Sequence, residues 1–86
     1  MIYTKNNQMG FEQIIARHKG VLITLAEGRD WVSIYSCESS NRGKGEVQEA
    51  IRIIKVDFQG KKLCGSIPLN PTMKHIYDKM DVSYQL

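Results

Sequence analysis

The residues best suited to chemistry form one short stretch, Asn41-Arg42-Gly43-Lys44-Gly45-Glu46-Val47, directly ahead of a run with helical periodicity. Two glycines let a backbone come close to a ligand. The unsatisfied N–H groups of a helix start then face outward, with the positive end of the helix dipole behind them. That combination binds anions, phosphate and pyrophosphate above all. Arg42 and Lys44 add two cations beside it. The stretch is not a Walker loop, because Gly43-Lys44 lacks both the first glycine and the following hydroxyl residue. It is not a full dinucleotide fingerprint, because Gln48 stands where the third glycine belongs. The alternative to a phosphate loop is a plain turn before a helix.

A second stretch stands near the C-terminus, Asn70-Pro71-Thr72-Met73-Lys74-His75-Ile76-Tyr77-Asp78-Lys79-Met80-Asp81-Val82. Together the two stretches resemble the signatures of the GNAT superfamily of N-acetyltransferases. The coenzyme A loop of that family reads Gln/Arg-x-x-Gly-x-Gly/Ala. Arg42, Gly43, Lys44, Gly45 and Glu46 match it, with Val47 at the last small position. The other signature is an Asn followed by a helix reading Leu-Tyr-Glu-Lys-Leu-Gly-Phe. Ile76-Tyr77-Asp78-Lys79-Met80 keeps its register, with Asp81 and Val82 in place of Gly and Phe. The resemblance covers about residues 31 to 86.

The resemblance implies a site. Acetyl-coenzyme A would lie between two splayed parallel strands, its pantetheine amides pairing with Ser33, Ile34, Tyr35, Ser36 and Cys37. Splayed strands leave backbone groups unpaired, and an amide-bearing ligand satisfies them. The pyrophosphate would sit over the N–H groups of Gly43, Lys44, Gly45, Glu46 and Val47, with Arg42 nearby. Asn70 would touch the pantetheine arm, or simply cap the last helix. Tyr77 would protonate the departing thiolate, a step that suits a phenol because its pKa lies near that of a thiol. Alternatively Tyr77 is only part of a core stripe. Glu38 is the carboxylate best placed as a base, ahead of Asp30 at the far end of the same strand. Cys37 and Cys64 lie near the thioester if they face the cleft; otherwise they are small buried apolar residues.

Three functions follow. The first is transfer of an acetyl group from acetyl-coenzyme A to an amine, by direct attack on the thioester. Its acceptor is unidentified, with a macromolecule or a dimer that completes the site as options. The second is a catalytically inactive module on the same fold that docks on a protein partner. The third, ranked last, is nucleic-acid binding. Twelve basic residues are scattered among nine acidic ones for a net charge of +3, which suits a phosphorylated ligand but forms no basic stripe.

As for the elements that must hold these residues, 86 residues suffice for one small domain. No apolar run is long enough to span a membrane. Met1–Asn7 lacks the apolar centre of a signal peptide, so a cytoplasmic location is expected. The two cysteines have no metal spacing and are expected to be reduced. Residues 1–8 read as a short strand or a loose arm. Phe11, Ile14, Ile15 and His18 fall at i, i+3, i+4 and i+7, which predicts a helix ended by Gly20. His18 then sits at a boundary, and His75 on a surface. Val21–Ala26 is nearly all apolar and predicts a strand covered on both faces. A turn at 27–30 leads to an antiparallel strand over Trp31–Cys37, with Trp31, Ser33, Tyr35 and Cys37 on one face. Val47, Ala50, Ile51, Ile54 and Phe58 stripe a second helix, widened by Ile53 and Val56. A strand over Lys62–Ile67 should run parallel to the one at 31–37, with Gly65 as a bulge or close-approach point. Met73, Ile76, Tyr77 and Met80 stripe a helix beginning at Pro71, and 82–86 could close the sheet. The expected class is α+β, a mixed sheet with helices on both faces, in a reduced GNAT-like acyl-CoA N-acyltransferase fold.

Overall fold

The first half of the chain is all strand. In the computed structural model, which describes residues 1–8, 11–40, 45–66, 68 and 71–84, β1 (Ile2–Gln8), β2 (Phe11–His18), β3 (Val21–Glu27) and β4 (Trp31–Ser39) pair antiparallel in chain order. Helix α1 (Glu46–Asp57) then leads to β5 (Lys62–Gly65), parallel to β4, and α2 (Pro71–Met80) leads to β6 (Ser83–Tyr84), parallel to β5. The result is a six-stranded mixed sheet in the order β1-β2-β3-β4-β5-β6.

The segment 11–18 is therefore a strand and not the helix its spacing suggested. Its apolar residues satisfy two periods at once. Ile14, Ala16 and His18 alternate as well as Phe11, Ile14, Ile15 and His18 stride. Pairing decides between the two: β2 is bonded along both edges, to β1 and to β3. Its adjacent β-branched Ile14 and Ile15 suit a pleated surface better than a helix. Gly20, expected to stop a helix, instead makes a two-residue hairpin turn with Lys19, which is in the left-handed region at φ 53°.

Both helices lie on one face of the sheet, not one on each. Residues of both helices share one core cluster with one face of the sheet, as expected when right-handed β-α-β crossovers advance in one direction across a sheet. There α1 touches α2, and Lys55 Nζ donates to the Met80 carbonyl at 2.7 Å. Under them lies the core: Ile14, Ala16, Ile23, Leu25, Val32 and Ile34 from the sheet, Ala50, Ile51 and Ile54 from α1, and Ile76 and Tyr77 from α2. Each aliphatic side chain of this kind contributes about 1.5–3 kcal/mol on burial. On the other face of the sheet no described side chain is buried. Strand β3 is accordingly covered on one side only: Val21, Ile23 and Leu25 are buried, while Leu22, Thr24 and Ala26 are half-buried. Val56 is 65% exposed, so α1 buries a single stripe and is not covered on a second side.

Strand β4 does not alternate throughout. Its register with β3 passes from Thr24 opposite Ser36 to Leu25 opposite Ile34, which leaves Tyr35 as the extra residue of a bulge. Trp31 and Ser33 keep to the open face, but after the bulge Cys37 joins the covered face, opposite the fully buried Ile23. The expected grouping of Cys37 with Trp31, Ser33 and Tyr35 is thereby corrected.

Candidate functional site

The bulge also marks where β4 and β5 part. Trp31–Ile34 pair with Lys62–Gly65, and one further bond, from the Ser66 N–H to the Ile34 carbonyl at 3.0 Å, closes the ladder. From Tyr35 to Ser39, β4 is paired among the described residues with β3 alone. Beyond the Tyr35 carbonyl, which accepts from Ser66 Oγ at 3.4 Å, no described strand pairs with the β5 side of this stretch, and unpaired backbone groups of that kind suit an extended ligand carrying amides. Of the five residues expected to bind pantetheine, Ser33 and Ile34 are already matched to Cys64 and Gly65. Tyr35, Ser36 and Cys37 lie on the open stretch.

Tyr77 sits at the fork. Helix α2 buries its ring to 3% exposure and lays it against β5. Gly65 makes that approach workable, since a Cβ there would stand 2.6 Å from Tyr77 Cε2, 2.7 Å from Cζ and 3.1 Å from Oη. A turn at Asp81, in the left-handed region at φ 58°, returns the Val82 N–H to the Tyr77 carbonyl at 2.9 Å. That places Tyr84 beside Tyr77, ring centroids 5.6 Å apart, with its hydroxyl donating to Asp78 Oδ1 at 2.7 Å. Burial first, and the neighbouring Cys37 second, hold the Tyr77 phenol above its ordinary value, while a hydrogen bond with Ser66 pulls it back. Burial, and then Glu38, push the Cys37 thiol up to about 11. Both groups are thus protonated at neutral pH. Burial makes the phenol hold its proton more tightly than a free tyrosine, and the protonated thiol is a poor nucleophile.

Glu38 is not brought to this cluster. It pairs with Leu22 on the open face of the sheet and is exposed, opposite in direction to Cys37 and Tyr77. Arg42, Gly43, Lys44 and Asn70 lie outside the described residues. Of the expected phosphate loop the described part is Gly45, Glu46 and Val47. Gly45 is the N-cap of α1 at φ 69°, a conformation that favours glycine, and its carbonyl accepts the Glu49 N–H at 3.0 Å. Glu46 is half-buried, and its Oε1 is sequestered with no hydrogen-bond partner among the described residues. Val47 packs against the core.

Two features had no visible sign in the sequence. Ser66 Oγ donates to the Tyr35 carbonyl at the bulge at 3.4 Å; only its place directly after Gly65 could have pointed to it. His18 Nε2 lies 2.9 Å from Glu49 Oε1, and Lys19 Nζ lies 3.1 Å from the same oxygen. This ties the β2–β3 turn to the first turns of α1. His18 and Lys19 hold the Glu49 carboxyl below its ordinary value. Thirty-one residues separate His18 from Glu49, so no local spacing could reveal the pair.

A cavity of about 320 Å³ opens elsewhere, between the C-terminal end of α1 and the start of β5, against Phe58, Leu63 and Asp81. Two of its lysines are committed to other partners. Lys55 holds the Met80 carbonyl, and Lys61 holds Glu27 Oε2 and the Gly28 carbonyl. The fork at Tyr77 combines open backbone with two protonated acids and is the better site for chemistry. Among the described residues no group of side chains could hold a metal ion, and no helix is long and apolar enough to cross a membrane. No protein-family model, curated protein or solved structure matches this chain.

Proposed function

We propose that the chain binds acetyl-coenzyme A along the open edge of β4 and transfers its acetyl group to an amine. The observation that carries this reading is the fork itself. Five residues of β4, Tyr35–Ser39, run past the pairing with β5 and, among the described residues, have β3 as their one strand partner; a buried phenol stands where the strands part. The edge suits a ligand that is extended and bears amides. Gly45, with the cations of the sequence at Arg42 and Lys44, suits a ligand that ends in phosphate. Bound there, an acyl thioester supplies the activated acetyl group. Cys37, kept as a neutral thiol, leaves the attack to the incoming amine. Tyr77 then gives its Oη proton to the departing thiolate, a step of general acid catalysis worth about 10²–10⁴-fold.

The test is calorimetric titration with acetyl-coenzyme A and with coenzyme A, followed by mass spectrometry of a panel of amines for acetylated product. Tyr77→Phe should keep cofactor binding and lose at least roughly 100-fold in transfer. Binding without transfer to any amine would replace the enzyme by a docking module that retains the cofactor cleft. No heat of binding at millimolar ligand would remove the cleft assignment altogether.

A further inference from the structure

The face of the sheet turned away from the helices carries few charges. An antiparallel sheet can turn one face to water, and such a face is normally polar. On β1–β4, however, most charged residues belong to the covered side. Lys5 stands opposite the buried Ile14 and pairs with Glu12 at 3.3 Å. His18 reaches Glu49 on α1. Glu27 stands opposite the buried Val32 and holds Lys61. Arg17 and Glu38 are left on the open face. Both are exposed, and neither forms an ion pair among the described residues.

The register sets these two in one row. Arg17 is opposite Leu22, and Leu22 is opposite Glu38. A cation and an anion thus flank an apolar residue from strands roughly 10 Å apart, with Leu22 between them. The neighbouring row, Ile15 opposite Thr24 and Thr24 opposite Ser36, is uncharged.

We propose that this face binds a second copy of the chain, about a two-fold axis that runs parallel to β3 and passes over Leu22. Such an axis lays β2 of each copy over β4 of the other. Arg17 of each copy then meets Glu38 of the other, and Leu22 meets its own symmetry mate. An axis perpendicular to the strands lays β2 over β2 instead and sets Arg17 against Arg17. The charge pattern therefore selects the first arrangement, an aligned packing of two sheets about 10 Å apart. Strands β1–β4 have 7, 8, 7 and 9 residues. At ~4.8 Å between strands and ~3.3 Å per residue their face measures about 19 by 25 Å, so two such faces bury roughly 1,000 Å². That is the lower end for a specific interface and suits a dimer of micromolar affinity. Tyr77 lies on the opposite face, so the inference does not rest on the acyl-transfer reading.

The experiment is sedimentation equilibrium over a concentration series, for the wild type, Arg17→Glu, Glu38→Arg and the double variant, with circular dichroism to check the fold. Both positions are exposed, so the variants should fold as the wild type does. The wild type should dimerise with a micromolar Kd. Each single substitution sets like charges opposite one another twice and should raise Kd at least roughly 10-fold. The double variant reverses both signs and should restore the dimer. The two single variants, mixed in equal amounts, should form a mixed dimer, because one carries two acidic and the other two basic residues at these positions. A wild type that stays monomeric at millimolar concentration overturns the proposal and gives the face to another partner. A dimer indifferent to both single substitutions also overturns it, by placing the contact elsewhere. Singles that weaken the dimer, with no rescue in the double variant or in the mixture, refute the two-fold arrangement.

Discussion

Replacing Gly65 by alanine should set β5 against α2, and the size of the effect follows from distances. The added methyl would stand 2.6 and 2.7 Å from two ring carbons of Tyr77, about a full ångström inside the usual carbon–carbon contact of ~3.5–4.0 Å. The ring cannot swing away freely, because it is 3% exposed and flanked by Tyr84 at 5.6 Å. Overpacking of this kind costs about 1–3 kcal/mol. For a chain of this size each kcal/mol shifts Tm by about 4–8 °C, so Gly65→Ala should melt roughly 5–20 °C below wild type by circular dichroism. A double-mutant cycle isolates the cause. Tyr77→Leu removes Cε2, Cζ and Oη, the atoms the methyl would meet. Alone it should destabilise by about 1–3 kcal/mol; in the Gly65→Ala background it should cost much less, or stabilise. Additivity to within ~0.5 kcal/mol, or an unshifted Tm for Gly65→Ala, would refute the close approach on which the site depends.

Three further outcomes are expected. Glu49→Gln should flatten the acid limb of the Tm–pH profile. The carboxyl is held below 4.5 by His18 and Lys19, so its contribution is present above the unfolded value and lost as pH falls through the folded one; an acid limb unchanged in the variant would count against the tie. Tyr3→Phe should lose about 0.5–1.5 kcal/mol at neutral pH, because the Tyr3 hydroxyl donates to Asp57 Oδ2 at 2.5 Å. Burial and that bond also raise the Tyr3 phenol well above 10, so wild-type stability should fall as pH rises past 10 and the variant should be spared part of that fall. Finally, Cys37 should resist iodoacetamide in the folded protein. With its thiol at about 11, roughly one thousandth is thiolate at pH 8, and peptide mapping that finds rapid labelling there would contradict its placement.

The spacing of apolar residues was enough for the second half of the chain. The stripes through Ala50, Ile51 and Ile54 and through Ile76 and Tyr77 each obey a single period, and each is a helix as read. The strand expected over Lys62–Ile67, bounded by turn residues and preceded by a crossover, does run parallel to β4, though it ends at Gly65 and Ile67 lies outside the described residues. The hairpin turn expected at 27–30 is present with Glu27 still in β3, and of the two roles open to Gly65, bulge or close approach, the Tyr77 ring takes the second. Of the residues that the resemblance pointed to, the fold brings Cys37 toward Tyr77, turns Glu38 away and pairs Ser33 and Ile34 with β5.

What the tertiary structure decided was everything that depends on distant partners. Residues 11–18 satisfy a helical and an alternating period equally, and only hydrogen bonds to β1 and β3 select the strand. Whether helices cover one face or two depends on the direction in which crossovers advance across the sheet, which no single segment encodes. The bulge at Tyr35 arises from the register between β3 and β4. By adding one residue it reverses every side chain beyond it, sending Cys37 toward Tyr77 and Glu38 away. Local sequence sets the conformation a segment prefers. The face on which a reactive group emerges, and what stands opposite it, are set by pairing across the sheet, through bonds between residues far apart in the chain.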